Sequence, residues 1–218
     1  GFLSGNTGTQ TGGWFRDELK SLDDVKGVRF RTPGLGGRVW EKLGATVTNM
    51  AAGEIFQALQ SGTLDAAEFV GPYNDLALGF HQVAKNYYMP SFVESGLATE
   101  LVVDKKKYQE LPENLQAIIR DVSQAEYDQV AADFYANDPR ALKTLQEEHG
   151  VTVRNFPDDI MEAGAKASVE VVEELRNSDD PLVKKTADSF VEALNLVRTR
   201  TENIDSPYVQ ARQKFLKY

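Results

Sequence analysis

Arg31 and Glu68 close two short apolar stretches, Val28-Arg29-Phe30-Arg31-Thr32-Pro33 and Leu64-Asp65-Ala66-Ala67-Glu68-Phe69-Val70-Gly71-Pro72. Each stretch ends on a charged residue with Pro or Gly close behind, the pattern by which a buried strand delivers one polar group to the mouth of a cleft. A guanidinium binds a planar anion through two parallel hydrogen bonds, whereas a carboxylate meets an anionic ligand only with a cation between them. The pair therefore suggests an organic acid bound together with a metal ion. Alone, an Arg-x-Pro is commonly an exposed strand end and a single Glu a surface carboxylate; the two motifs about forty residues apart point to a ligand clamp.

Alternating strands and helices must position this pair. Val28 to Thr32 reads as a strand, Gly34 to Leu43 as a helix entered through Pro33, and Ala45 to Asn49 as a β-branched strand. Gly53 to Gln60 is a short amphipathic helix closed by Gly62, and Asp65 to Val70 the next strand. Ser21-Leu22-Asp23-Asp24 is a helix start, with acidic residues suited to the positive end of the helix dipole. This alternation predicts an α/β fold on a largely parallel sheet with short crossovers. Further on, Gly96 to Val103 is a strand, and Leu111-Pro112-Glu113 opens a helix running toward His149. Its apolar residues Leu115, Ile118, Ile119, Val122, Tyr127, Val130 and Phe134 keep mostly helical spacing, and Asp138-Pro139 offers a place to break. Val151 to Phe156 is one more strand, and from Pro157 the chain reads helical through Ile160 to Leu175, Pro181 to Arg200 and a last piece from Ser206.

Composition narrows the classes. The 218 residues, 41% apolar and 10% aromatic, bury a substantial core in one large or two small domains. The sequence contains no run of eighteen apolar residues, the length a membrane-spanning helix needs. With 24 basic residues scattered among 33 acidic ones and a net charge of -9, there is no basic stripe for nucleic acid. The absence of cysteine removes disulfides, thiol nucleophiles and thiolate metal sites. The chain opens Gly1-Phe2-Leu3 with neither an initiator Met nor a targeting segment, and reads as a truncation that enters a strand already in progress.

Little here suggests catalysis. His81 and His149 are the only histidines. His149 falls at a helix C-terminus in Glu147-Glu148-His149-Gly150, and His81 reads as a packing residue on a helix beside Tyr87 and Tyr88. No serine sits in a nucleophile elbow, and Gly34-Leu35-Gly36-Gly37 lacks the residues of a phosphate-binding loop.

Leu43-Gly44-Ala45, Glu54 through Gly62 and Leu64-Asp65-Ala66-Ala67-Glu68 resemble the signature of TRAP-transporter solute-binding proteins, whose founding member binds C4-dicarboxylates. Leu101-Val102-Val103-Asp104 followed by Leu111-Pro112 and a long helix is also similar to that pattern, so the resemblance covers most of the chain. Gly5-Asn6-Thr7-Gly8-Thr9-Gln10, Gly12-Gly13-Trp14-Phe15 and Val70 through Ala77 resemble the branch that binds 2-oxo or 2-hydroxy monocarboxylates with a metal ion.

The resemblance implies a two-lobed, periplasmic-binding-protein-like fold with an incomplete first lobe and a helix-rich C-terminus. Residues 1–95 and 135–160 would form the second ligand-binding lobe, and 96–134 part of the first. It implies that Arg31 binds the substrate carboxylate, that Glu68 gives carboxylate oxygen to the cation, and that Phe69 gives its carbonyl to the cation and an aromatic wall to the substrate. Phe69 stands where Trp is found in many relatives. Glu94 is the implied third oxygen ligand, either Na⁺ or Ca²⁺ suiting the set. Gln10 is placed to hydrogen-bond the ligand, with Asn6 as its rival on the same glycine-rich loop. The implied function is an extracytoplasmic, periplasmic receptor that takes a pyruvate- or lactate-like acid to TRAP membrane permease subunits. The alternatives are a C4-dicarboxylate receptor, with Arg38 as the extra cation, and a metal-dependent lyase or aldolase. Ala187, Phe190, Val191, Leu194, Leu196 and Val197 form an apolar face in the helices of 161–218, which implies either a spine across the lobes or a homodimer through C-terminal helices.

Overall fold

Residues 1–216 are described by a computed structural model and fall into two compact units that part at Ser168 and Val169. In the first unit the chain runs β1 (Phe2–Asn6), β2 (Gly13–Phe15), β3 (Arg29–Arg31), α1 (Gly34–Lys42), β4 (Thr46–Thr48) and α2 (Ala52–Ser61). It continues through β5 (Ala66–Ala67), α3 (Pro72–Leu78), β6 (Asn86–Tyr88), β7 (Ala98–Leu101), α4 (Lys105–Glu110), α5 (Glu113–Glu147) and β8 (Thr152–Arg154). Helix α6 (Asp158–Arg176) carries the chain into the second unit, where α7 (Pro181–Arg200) passes through a π-helical turn at Thr201–Asp205 into α8 (Ser206–Phe215). Among the described residues no helix is long and apolar enough to cross a membrane.

Local chemistry sets the helix ends. Pro72 opens α3 and Pro181 opens α7, each at a first-turn position where no amide donor is lost. The Asp180 carboxylate caps α7 by accepting from Leu182 N at 2.8 Å. Gly62 and Gly79, at φ +75 and +76, end α2 and α3 in the left-handed conformation that glycine tolerates best.

The main sheet has the order β4-β3-β5-β2-β6-β8. The pairs β3/β4, β3/β5 and β6/β8 are parallel, as the strand and helix alternation predicts. Strand β2 departs from that expectation, running antiparallel to both β5 and β6 in the middle of the sheet. It enters from the Gly-rich loop after β1, so no helical crossover forces it parallel to a neighbour. A separate two-stranded sheet pairs β1 with β7, antiparallel, and lies against α5.

Both faces of the main sheet are covered. Trp14 and Phe15 are consecutive and therefore point to opposite faces, as do Tyr87 and Tyr88. Trp14 stacks on Tyr87 with ring centroids 4.0 Å apart, in a core with Ile55, Leu59, Leu64, Phe80 and Leu145. On the other face Phe15 meets Tyr88, Phe30, Trp40 and Phe156.

Several element boundaries shift. The strand expected over Asp65 to Val70 is the two residues of β5, and the one over Gly96 to Val103 is β7. The helix start at Ser21 leads only to a four-residue 3₁₀ turn, Leu22–Val25, with Asp24 accepting from Ser21 N at 3.1 Å. His81 lies in a 3₁₀ turn, Phe80–Gln82, while Tyr87 and Tyr88 belong to β6 and not to a helix. Helix α5 does not break at Asp138-Pro139. Proline there forgoes one backbone hydrogen bond, and the turn is held from outside: Asp138 accepts from Tyr73 N at 3.0 Å, and the Tyr73 ring meets Phe134 edge to face at 6.1 Å.

A candidate anion and cation clamp at the ends of two parallel strands

Strands β3 and β5 run parallel with Arg31 opposite Ala67, so Arg31 and Glu68 leave the sheet side by side at its carboxyl edge. This edge is where open α/β sheets commonly hold ligands. The Glu68 amide donates to Arg31 O at 2.9 Å, extending the pairing one step beyond the strand.

The Arg31 side chain is buried and aimed back across this edge. Its Nη1 donates to Glu68 O at 2.6 Å and its Nε to Met50 O at 3.3 Å, so two of its N–H groups brace the loops. The guanidinium stands 5.7 Å from the centre of the Phe69 ring, over its face. Burial pulls the Arg31 pKa down, opposed by the charges of Glu68 and Glu94.

Glu68 is 1% exposed, and neither carboxylate oxygen accepts a hydrogen bond of good geometry, although the Thr32 hydroxyl is near enough to favour the charged form and Arg31 Nη1 forms a long ion pair with Oε2 at 3.9 Å. Burial pushes the Glu68 carboxyl up to about 8, helped by the negative charge of Glu94 and, after the opposing pull of Arg31, by that of Asp75. Glu94 is half-buried, with its own pKa raised by burial and lowered by Arg31. Arg31, Glu68 and Glu94 therefore feel one another's charge, as the sequence reading requires of a clamp. The Phe69 ring meets Phe80 edge to face at 6.2 Å.

Gln10 reaches the same region from the loop before β2. Its backbone carbonyl accepts from Ser91 N at 3.1 Å, and the next residue, Thr11, donates its amide to Val70 O at 3.1 Å. Gln10 Nε2 faces the Thr7 hydroxyl at 3.2 Å, and that hydroxyl also accepts from Leu97 N and can donate to Gly8 O. Gln10 Oε1 is left buried with no partner. Asn6 is differently engaged: its Oδ1 accepts from Gly8 N and its Nδ2 donates to Tyr127 OH on α5, both at 2.9 Å. Gly13, at φ +112, permits the close approach of the two loops, since a Cβ there would lie 2.8 Å from Ala67 O and 3.1 Å from Glu68 Cα.

The donor set fits a hard cation. Among the described residues no three His, Cys, Asp or Glu side chains gather for a metal. The group instead offers two carboxylates, an amide oxygen and backbone carbonyls, the oxygen ligands that Na⁺ and Ca²⁺ prefer. A buried carboxylate whose oxygens accept no hydrogen bond is costly, and the long ion pair to Arg31 offsets only part of that cost. Met50 and Thr7 escape the sequence reading because they act through a backbone carbonyl and a buffered hydroxyl. Thr32, whose buried hydroxyl makes no hydrogen bond of good geometry, was in view only as the middle of Arg-Thr-Pro. Arg38 is exposed on α1.

Comparison with known proteins gives the family and the fold. Residues 1–179 match the family described as bacterial extracellular solute-binding protein, family 7. A monocarboxylate 2-oxoacid-binding periplasmic protein of Nostoc sp. is 37% identical over 178 residues, 82% of this chain and 49% of the relative. The crystal structure of a TRAP periplasmic solute-binding protein from Pseudoalteromonas atlantica T6c, with sodium and pyruvate bound, is 35% identical with a TM-score of 0.90 over 96% of this chain and 64% of that one. One from Colwellia psychrerythraea, with calcium and pyruvate bound, is 37% identical with a TM-score of 0.89 over 96% and 63%. The chain thus spans about half the length of the curated relative and less than two thirds of either solved chain.

Proposed function

We propose, from the premise that this chain belongs to bacterial extracellular solute-binding protein family 7, that it forms the gripping part of a periplasmic TRAP receptor for a small 2-oxo or 2-hydroxy monocarboxylate. The observation that carries this reading is Glu68, a buried carboxylate whose oxygens accept no hydrogen bond of good geometry, beside the Arg31 guanidinium. Arg31 supplies positive charge and directional donors to the ligand carboxylate. Glu68, Glu94, the Phe69 carbonyl and Gln10 Oε1 would hold a Na⁺ or Ca²⁺ ion, which neutralises the carboxylates and gives the ligand oxygens an electrophilic partner. Because the unpartnered atom of Gln10 is its carbonyl, we read Gln10 as facing the cation and not as a donor to the anion. Asn6, with both of its side-chain groups engaged, is a brace between the loop and α5. Phe69, its ring under the Arg31 guanidinium, gives the site an apolar wall that suits a short acyl chain.

In this reading 1–95 and 135–160 form the gripping lobe and 96–134 contributes to the other. The receptor binds without consuming its ligand and passes it to the TRAP permease subunits. The exposed Phe190, Leu194, Leu196 and Val197 on α7 would pair two copies through the C-terminal helices.

Calorimetric titration of the intact protein with pyruvate, lactate and succinate tests the reading, in Na⁺, in Ca²⁺ and after chelation in a sodium-free buffer. Binding of pyruvate or lactate only with a cation supports it. Succinate preference, cation-independent binding, or turnover of pyruvate on prolonged incubation overturns it.

A further inference from the structure

Asp75 is the most deeply buried acidic side chain of the first unit that the clamp itself does not use: it is 0% exposed, on α3, behind the loop that carries Glu68 and Phe69. Three donors converge on it. Trp14 Nε1 and Tyr87 OH each donate to Oδ2 at 2.8 Å, and Val70 N donates to Oδ1 at 3.3 Å. The Tyr87 hydroxyl in turn accepts from Thr11 Oγ1 at 3.0 Å, and Thr11 N donates to Val70 O at 3.1 Å. These contacts close a ring: Thr11 to Tyr87 by side chains, Tyr87 to Asp75, Asp75 to the Val70 amide, and the Val70 carbonyl back to Thr11. Gln10 precedes Thr11 directly, and Glu68 lies two residues before Val70. One buried carboxylate therefore ties together the two loops that approach the site from opposite directions.

We propose that Asp75 is a positioning residue for the cation, fixing the separation of Gln10 Oε1 from Glu68 through the ring of Thr11, Tyr87 and Val70. This inference rests on the cation-and-monocarboxylate reading above. Three features support it. The ring spans the loop before β2, the loop after β5, strand β6 and helix α3, so no single element sets the spacing. Its three side chains are shielded from water, with Thr11 6% exposed and Asp75 and Tyr87 0%, so the hydrogen bonds between them are strong and directional, while Val70 is partly buried. Asp75 also adds negative charge behind Glu68, which favours a cation in front of it.

Asp75→Asn keeps the shape but cannot satisfy the ring. If its oxygen faces Trp14 and Tyr87, its NH₂ confronts the Val70 amide, donor against donor. Tyr87→Phe deletes one link and keeps the Trp14 stacking. In the intact protein, each variant is expected to bind Ca²⁺, titrated in the presence of pyruvate, at least about ten-fold more weakly, and to exchange the Thr11 and Val70 amide hydrogens faster with no ligand present. Ile160→Ala, a core truncation on α6 outside the ring, serves as a control of comparable thermal destabilisation, with Ca²⁺ affinity held within about two-fold. Unchanged amide exchange in both ring variants overturns the ring whatever the ligand. Faster exchange with Ca²⁺ affinity unchanged, or a loss no larger than that of the Ile160 control, overturns the positioning role. If the unmodified protein binds pyruvate with neither Ca²⁺ nor Na⁺ dependence, the cation reading falls and this role with it. Should Asp75→Asn fail to fold, Tyr87→Phe and Thr11→Val decide the question by the same two measurements.

Discussion

The Arg31 guanidinium spends its 2.6 Å hydrogen bond on the backbone carbonyl of Glu68 and holds that residue's carboxylate at 3.9 Å. The ion pair is thus a long one; closed to hydrogen-bond distance it would have satisfied both side chains and occupied the carboxylate. Bracing the main chain leaves the carboxylate oxygens for a cation and keeps the arginine next to where an anion would sit.

Removing that arginine is the most direct test of the clamp. Arg31→Ala is expected to weaken pyruvate binding by about 2 to 4 kcal/mol, because a desolvated charge-assisted contact disappears and the ligand anion is left unpaired. Arg31→Lys recovers only part, since an ammonium lacks the planar fork. Calorimetry on both variants checks this, and an alanine variant of unchanged affinity removes Arg31 from the site.

The titration of Glu68 gives a signature in pH. Its folded pKa is raised from 4.5 to about 8 and that of Asp75 from 3.8 to about 6, so both carboxyls hold their protons more tightly folded than unfolded. The stability this contributes is fully present below the unfolded pKa values and drains away as pH rises through the folded ones. Without a cation, the melting temperature is expected to fall between pH 5 and pH 8. Ca²⁺ blunts that fall by binding ionised Glu68, and its binding near pH 7 releases protons, detectable as a buffer-dependent heat. Glu68→Gln abolishes cation-dependent ligand binding and flattens much of the slope. A melting temperature that climbs steadily from pH 5 to 8 in the cation-free protein contradicts this account.

Gly13→Ala probes the close approach of the loops. A Cβ at φ +112, 2.8 Å from Ala67 O, is expected to cost about 1 to 3 kcal/mol of stability and to weaken ligand binding as well, since Glu68 Cα is the next atom displaced. Denaturant melts and titrations report the two effects separately. A variant as stable as the parent indicates a backbone that relaxes without strain.

The assembly prediction concerns α7 and α8. Leu196 is 70% exposed, Val197 59% and Phe215 73%, so both helices leave large apolar side chains to water. The intact protein is expected to scatter light as a dimer at tens of micromolar, and deletion from Ser206 to the C-terminus, including residues 217 and 218 outside those described, to shift it toward monomer. A clean monomer before deletion, with unchanged stability after it, eliminates pairing through these helices.

Arg31 and Glu68 were legible because each ends an apolar run and precedes a residue that stops a strand. Strands β2 and β6 were not. Gly13-Trp14-Phe15 and Asn86-Tyr87-Tyr88 are three residues long and buried on both faces, so they lack the polar alternation that marks a half-exposed strand. The antiparallel direction of β2 was equally hidden, since strand direction depends on the path of the intervening chain. Gln10 enters the reading through its loop's resemblance, whereas its contact with Thr7, itself held by Leu97 about ninety residues away, is carried by no local pattern. Asp75 sits in plain view in Pro72-Tyr73-Asn74-Asp75, but nothing in a sequence says that three donors will meet there.

Helix α5, about 50 Å long at 1.5 Å per residue, runs through Pro139 without a break. Asn6 of the small sheet grips it at Tyr127, and three turns later Asp138 grips the start of α3 at Tyr73. One unbroken helix is therefore the common anchor of the β1 and β7 sheet and of the N-terminus of α3, the helix that follows Gly71 and Val70 within a few residues of Glu68.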